Sequence, residues 1–252
     1  MAPIVGILLG LIAGLVAGSF IGVLTLRWPA GRGLGGRSAC DACGAMLGPF
    51  DLVPLLSFAL LRGRCRHCAA PIAPRHLAIE LAGGAVGALA LWLVPGWGGV
   101  AGAGLGWVLL ALLVLDVEHF WLPDRLTLPL AGAGLLAGLW LPPALPLRLA
   151  GALVGFGLLW VLAAGYRRLR GFDGMGGGDP KLFAAIGAWL GPWVLPLVMA
   201  AAAGLGLALV GLDRLRGRPV MASTRVPLGA LLAGAGWLAW LAAPWLVSKG
   251  YM

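Results

Sequence analysis

The sequence predicts an all-α polytopic membrane protein of about eight transmembrane helices, and three observations predict it. Hydrophobic residues fill 61% of the 252 positions and charged residues 11%, against about 25% charged in a soluble domain. Apolar runs recur at the ~20-residue length that a helix needs to cross hydrocarbon. The net charge of +9 is gathered in short segments between those runs, a pattern of membrane topology and not of a nucleic-acid surface.

The elements follow in order. Residues 1–26 carry no charge, and Arg27 is the first. A secretory signal would open on a basic region, so this stretch is expected to stay as a first transmembrane helix (about 3–26) with its N-terminus outside. A polar segment, 27–76, comes next. The uncharged run 81–115 is 35 residues long, too long for one crossing. Pro95, Gly96 and the glycines after Trp97 break it into helices at about 76–94 and 100–115. A fourth helix follows Asp124 and ends near Leu141, and a fifth covers about 148–166. The run 182–212 is divided at Gly191-Pro192, and the last helix covers about 226–247. Many of the 43 glycines suit close helix packing in lipid. Tryptophans near expected helix ends, such as Trp28, Trp97 and Trp140, suit interfacial anchors.

Charge gives an independent check. With the N-terminus outside, segments 27–76, 116–125, 167–181 and 213–225 face the cytoplasm and hold 16 of the 18 Lys and Arg residues. Only Arg148 and Lys249 fall elsewhere. Positive charge kept inside is the expected bias.

All four cysteines lie in the first of these segments, as Cys40-x-x-Cys43 and Cys65-x-x-Cys68. Two such knuckles can close a tetrahedral four-sulfur zinc site with no open position, hence a structural one. A reducing cytoplasm disfavours disulfides, and a segment of about 50 residues gains needed stability from a metal. His67, inside the second knuckle, is expected to be exposed.

Two aspartates are out of place. Asp116 ends the 35-residue run, and Asp179 follows Gly174-Met175-Gly176-Gly177-Gly178 just before another. A carboxylate in hydrocarbon costs roughly 2.5–3.5 kcal/mol at a helix centre, so two of them suggest a paired site. Two close carboxylates share a proton, one serving as base toward water and the other as acid. The triple glycine lets another chain approach closely, and Lys181 either snorkels to headgroups or acts on Asp179. Asp124 is expected to cap the helix it precedes, with Glu118 and His119 at the interface. No Gly-x-Ser-x-Gly, His-Glu-x-x-His or P-loop pattern is present. Paired acids alone would also serve a proton- or cation-coupled carrier, and the cysteines alone a zinc-bearing scaffold.

These residues resemble a known family, the bacterial prepilin peptidases or type IV leader peptidases, membrane aspartic proteases of the Gly-x-Gly-Asp type. The resemblance is carried by Gly18-Ser19-Phe20, the cysteine segment with Asp51 and Pro54, Pro74-Arg75 with Glu80, Asp116 with Leu122-Pro123-Asp124, and Gly176-Gly177-Gly178-Asp179-x-Lys181. It implies Asp116 and Asp179 as the catalytic pair, supported by Gly176, Gly177, Gly178 and Lys181. It implies prepilin and pseudopilin substrates of type IV pili and type II secretion, cut after glycine at the cytoplasmic face of the inner membrane, with the basic leader resting on anionic lipid. Nucleic acid has no part in it. The bifunctional members also N-methylate the new terminus with S-adenosylmethionine, for which Asp51 and Glu80 are candidates. The sequence departs from the family pattern at Ile21-Gly22 and at Leu52, both in the half tied to methylation. The expected organisation is a first helix (1–26), a four-cysteine zinc-binding domain (27–76) and a peptidase core (77–252).

Overall fold

The computed structural model describes residues 2–171, 174–218 and 226–248. Part of the segment 213–225 and Lys249 therefore lie outside the described residues. The fold is helical throughout, and among the described residues the only β pairing is two isolated bridges, Ala39 with Met46 and Arg64 with Pro71.

Among the described residues ten α-helices follow in chain order: α1 (Ala2–Arg27), α2 (Leu56–Leu60), α3 (Pro74–Leu93), α4 (Trp97–His119), α5 (Asp124–Ala137), α6 (Leu145–Arg170), α7 (Asp179–Leu190), α8 (Leu195–Leu215), α9 (Leu228–Leu241) and α10 (Ala243–Ser248). The eight expected apolar helices are α1 and α3 to α9. Five of them, α1, α3, α4, α6 and α8, are long and apolar enough to cross a membrane. The other three, α5, α7 and α9, have 14, 12 and 14 residues, shorter than the ~20 of a full crossing. The breaks fall where expected: Gly96 and Gly191 take φ of 80° and 76°, a left-handed conformation that suits glycine.

The chain forms two compact units, Met1–Ala111 and Leu112–Met252, the division falling inside α4. In the first unit α1 and α3 pack along a seam of glycines. A methyl group at Gly10, Gly14 or Gly18 would strike the carbonyl of Gly87, Gly83 or Ile79, so the two backbones touch directly, as small residues permit in lipid. The Trp107 indole donates to Gly83 O at 3.0 Å, and Arg75 joins α3 to the end of α1 through Gly22 O and Thr25 Oγ1.

The core of the second unit is α7. Ten of its twelve residues are buried, and it packs against α5, α6, α8 and α9. Arg148, which charge counting left on the outer side, is not a loop charge. It is buried, and its guanidinium donates to the carbonyls of Gly134, Leu141, Pro142, Pro143 and Ala188. It also lies over the Trp189 ring at 5.9 Å. Two of those carbonyls belong to the last turns of α5 and α7, where helix dipoles leave partial negative charge. The arginine thereby replaces water for backbone groups that hydrocarbon cannot satisfy.

Candidate active site

Asp116 and Asp179 come together in the second unit. Helix α4 continues one turn past Asp116 to His119, so Asp116 stands within the helix and not at its end. Val117, Glu118 and His119 extend the helix as an exposed final turn, in which Glu118 and His119 lie 3.9 Å apart. Both aspartates are only 5% exposed, and Leu122 lies against the glycine beside each, Gly178 before Asp179 and Gly229 over Asp116 Oδ2. Among the described residues no cation pairs with either one.

Backbone amides hold them instead. Asp116 Oδ2 accepts the Ala230 N–H at 2.8 Å and lies against Gly229, where a Cβ would come within 3.0 Å of it. These belong to the first turn of α9, whose amides have no partner within their own helix. Asp116 is thus a cap supplied from another helix. Asp179 opens α7 after Gly178, and its Oδ2 accepts the Gly176 N–H at 3.0 Å. Gly178 is a place of close approach: a Cβ there would lie 2.6 Å from Leu122 Cβ. Gly177 faces open space, and Gly174 lies against the ring of Tyr166.

Lys181 pairs with Asp124 and not with Asp179. Its Nζ donates to both oxygens of Asp124 at 2.7 and 2.8 Å. Asp124 therefore is not the expected N-cap: it is the first residue of α5, and Pro123 holds the cap position with no side-chain bond. A cation 57 positions away outcompetes the local amides for the carboxylate.

Sequence reasoning missed Leu122, Gly229 and Ala230 as parts of the site. A signal for the last two exists: Pro227 followed by an apolar run marks a helix start, and the free amides there form a seat for an anion.

In the first unit the two knuckles repeat one design. Cys40 N–H donates to Ala45 O and Gly44 N–H to Cys40 O, while Cys65 N–H donates to Ala70 O and Ala69 N–H to Cys65 O. This turn brings the four sulfurs within 4.8 Å of one another, with Cys40 and Cys68 at 3.9 Å. Tetrahedral zinc with bonds of about 2.3 Å needs sulfurs about 3.8 Å apart, so the four cysteines fit such an ion. The amides of Cys68 and His67 hold the Cys65 thiol down to about 6, while burial and the neighbouring sulfurs push the Cys68 thiol up to about 11. His67 is exposed and outside the sulfur set.

Asp51 and Glu80 stand nearby, each with structural partners. Asp51 accepts the Gly48 amide at 3.1 Å and Arg66 Nε at 2.8 Å, and these two hold its carboxyl below the usual range. Glu80 Oε2 accepts the amide of Leu55 at 3.0 Å, a residue at φ 59°. Both acids line a cavity of about 600 Å³, whose wall also includes Ser19, Arg27, Arg37 and His76.

Comparison with known proteins agrees with this division. Residues 12–94 match the bacterial peptidase A24 N-terminal domain, and residues 103–211 match the type IV leader peptidase family. The chain is 43% identical over 207 residues to the prepilin leader peptidase/N-methyltransferase of Aeromonas hydrophila, covering 81% of this chain and 71% of that one. A Burkholderia pseudomallei protein of the same name is 43% identical over 79% of this chain and 65% of its own. A Pseudomonas aeruginosa protein, also so named, is 37% identical over 81% and 71%. No solved structure matches. The relatives favour peptidase chemistry over the carrier that paired acids alone would allow.

Proposed function

The chain belongs to the type IV leader peptidase family, and from that premise we propose that it is a multi-pass membrane aspartic peptidase that removes the leader of prepilins and pseudopilins. The observation that carries this reading is the meeting of two buried carboxylates, 63 positions apart in sequence, with backbone amides and, among the described residues, no cation as partners. Such a pair holds one proton between two oxygens. The ionised carboxylate takes a proton from water as that water attacks the scissile carbonyl. The protonated one gives its proton to the carbonyl oxygen. Collapse of the tetrahedral species then sends a proton to the leaving amine. Gly176, Gly177 and Gly178 shape the loop that presents Asp179, and Lys181 anchors that loop through Asp124.

The clustering of basic residues in four segments supports a site on the cytoplasmic face of the inner membrane. The leader's own basic residues would meet anionic lipid there. The cut after glycine suits a site that must receive an unwound backbone. Incubation of the detergent-solubilised protein with a prepilin tests the reading. The leader should be released, and Asp116→Asn and Asp179→Asn should each prevent it while remaining folded.

The second activity in the relatives' name is N-methylation, and the 600 Å³ cavity of the first unit supports the same reading here. S-adenosylmethionine, when bound, supplies an electrophilic methyl group for an amine. Glu80, with Oε1 free of hydrogen bonds among the described residues, and Ser19 would contact such a donor, while Asp51 keeps the cavity wall in place through Gly48 and Arg66. Zinc on Cys40, Cys43, Cys65 and Cys68 would hold residues 27–76 as a small structural domain. Mass spectrometry of the processed product reports the cleavage position and any added methyl together. Calorimetry with S-adenosylhomocysteine tests the cavity without turnover, and wild-type binding that Glu80→Gln leaves unchanged would remove Glu80 from it.

A further inference from the structure

The turn between α4 and α5 touches the backbone that carries Asp179 and the start of α9 that donates to Asp116. Leu122 occupies the space in which side chains at two glycines would grow. Its Cβ lies 2.6 Å from a Cβ built at Gly178, and its Cδ1 lies 2.6 Å from a Cβ built at Gly229. Gly178 precedes Asp179, and a Cβ at Gly229 would lie 3.0 Å from Asp116 Oδ2. The starts of α7 and α9 are therefore pressed against one leucine. Two residues further on, Asp124 is gripped by Lys181, which sits in the first turn of α7.

We propose that Leu122 and the Asp124–Lys181 pair are positioning residues that fix the separation of Asp116 and Asp179, the leucine as spacer and the ion pair as clamp. This rests on the peptidase reading above. Lys181 and Asp124 side chains are 36% and 52% exposed, and ion pairs so placed contribute little to global stability. Their loss should therefore register in the reaction and not in melting. Separation matters because the nearer two carboxylates are, the further apart their two macroscopic titrations lie. A loosened clamp narrows the bell-shaped pH–rate curve.

Other charges around α7 define the control. They are Asp124 and Arg125 on α5, Arg148 and the Arg167, Arg168 and Arg170 end of α6, Asp213 and Arg214 on α8, and none on α9. Tyr166 of α6 is the nearby phenol, and Asp116 is the other buried acid. If Asp124 and Lys181 acted only through space, removing the anion and removing the cation would move the pH curve in opposite directions.

The experiment compares Asp124→Asn, Lys181→Met, their double mutant, Asp124→Glu, Lys181→Arg and Leu122→Ala with wild type. Each is assayed for prepilin cleavage across pH, for melting, and by infrared titration of the buried carboxyls, which needs no turnover. Each single loss should lower kcat about tenfold or more, leave KM within about twofold, and narrow both the pH curve and the carboxyl titration. The double mutant should cost no more than one single mutant, as coupled residues do. The conservative variants should recover most of the activity. Opposite pH shifts in Asp124→Asn and Lys181→Met, additive losses, or losses that track melting alone would each overturn the proposal. A wild-type protein that titrates as a coupled pair yet cuts no prepilin would refute the peptidase reading and leave the positioning claim to the infrared arm.

Discussion

Asp116 and Ala230 are joined by a 2.8 Å hydrogen bond across 114 positions of sequence. One carboxylate thereby completes a helix start and, on the function proposed above, furnishes half of a reactive pair. Substitutions at this position separate the two duties. Asn retains an oxygen acceptor for the α9 amides and cannot ionise, so Asp116→Asn should reduce cleavage by about three orders of magnitude with little change in melting. Asp116→Ala should lose the same activity and also about 1–2 kcal/mol of stability, the usual value of a cap. Parallel cleavage and thermal-shift assays distinguish them.

Gly229 sits where any side chain collides. A Cβ there meets Leu122 Cδ1 at 2.6 Å and Asp116 Oδ2 at 3.0 Å. Gly229→Ala should destabilise by about 1–3 kcal/mol, as overpacking does, and should cut activity. Leu122→Ala in the same chain opens room for the new methyl, so the double mutant should melt higher than Gly229→Ala alone. A lower melting point in the double mutant would contradict the contact.

Arg148 should be irreplaceable by lysine. Five carbonyls converge on a planar group with five N–H donors, and an ammonium offers three. Arg148→Lys and Arg148→Met should each cost about 3 kcal/mol through carbonyls left without partners, measured by denaturation in detergent. The loss should fall on the ends of α5 and α7, visible as faster amide exchange there.

Metal content gives a further check. Elemental analysis of purified protein should find one zinc per chain. Chelation should open residues 27–76 to proteolysis over minutes without direct competition at the aspartates. Immediate, reversible inhibition of cleavage with the segment still protected would instead place the metal in the reaction.

Much of the helix order was legible because lipid is a simple solvent: a run that cannot hydrogen-bond water must be long, apolar and helical. Gly96 and Gly191 announced their breaks through the backbone angles that glycine alone takes easily. The aspartates stood out because a carboxylate next to hydrocarbon has no cheap explanation. Partner choice was not legible. Local rules assigned Asp124 to its own helix start, while Lys181 from α7 claims it. Arg148 read as a flanking charge because its carbonyl acceptors come from three segments that only the folded chain assembles. Leu122 was legible only through the Leu122-Pro123-Asp124 motif, since an apolar side chain does not announce which glycines, here Gly178 and Gly229, it will lie against.

The short helices carry a consequence for the surrounding bilayer. At 1.5 Å per residue, α5, α7 and α9 reach only about 18–21 Å, against a hydrocarbon slab near 30 Å. Because α7 is enclosed by its neighbours, the mismatch with lipid falls to α5 and α9 on either side of it, and lipids bordering those two must compress to match them. Thin membranes meet that demand at lower cost. Reconstituted in short-chain phosphatidylcholine, the protein should therefore be more stable than in long-chain vesicles, with the acids nearer to bulk water than their place in an apolar run suggests.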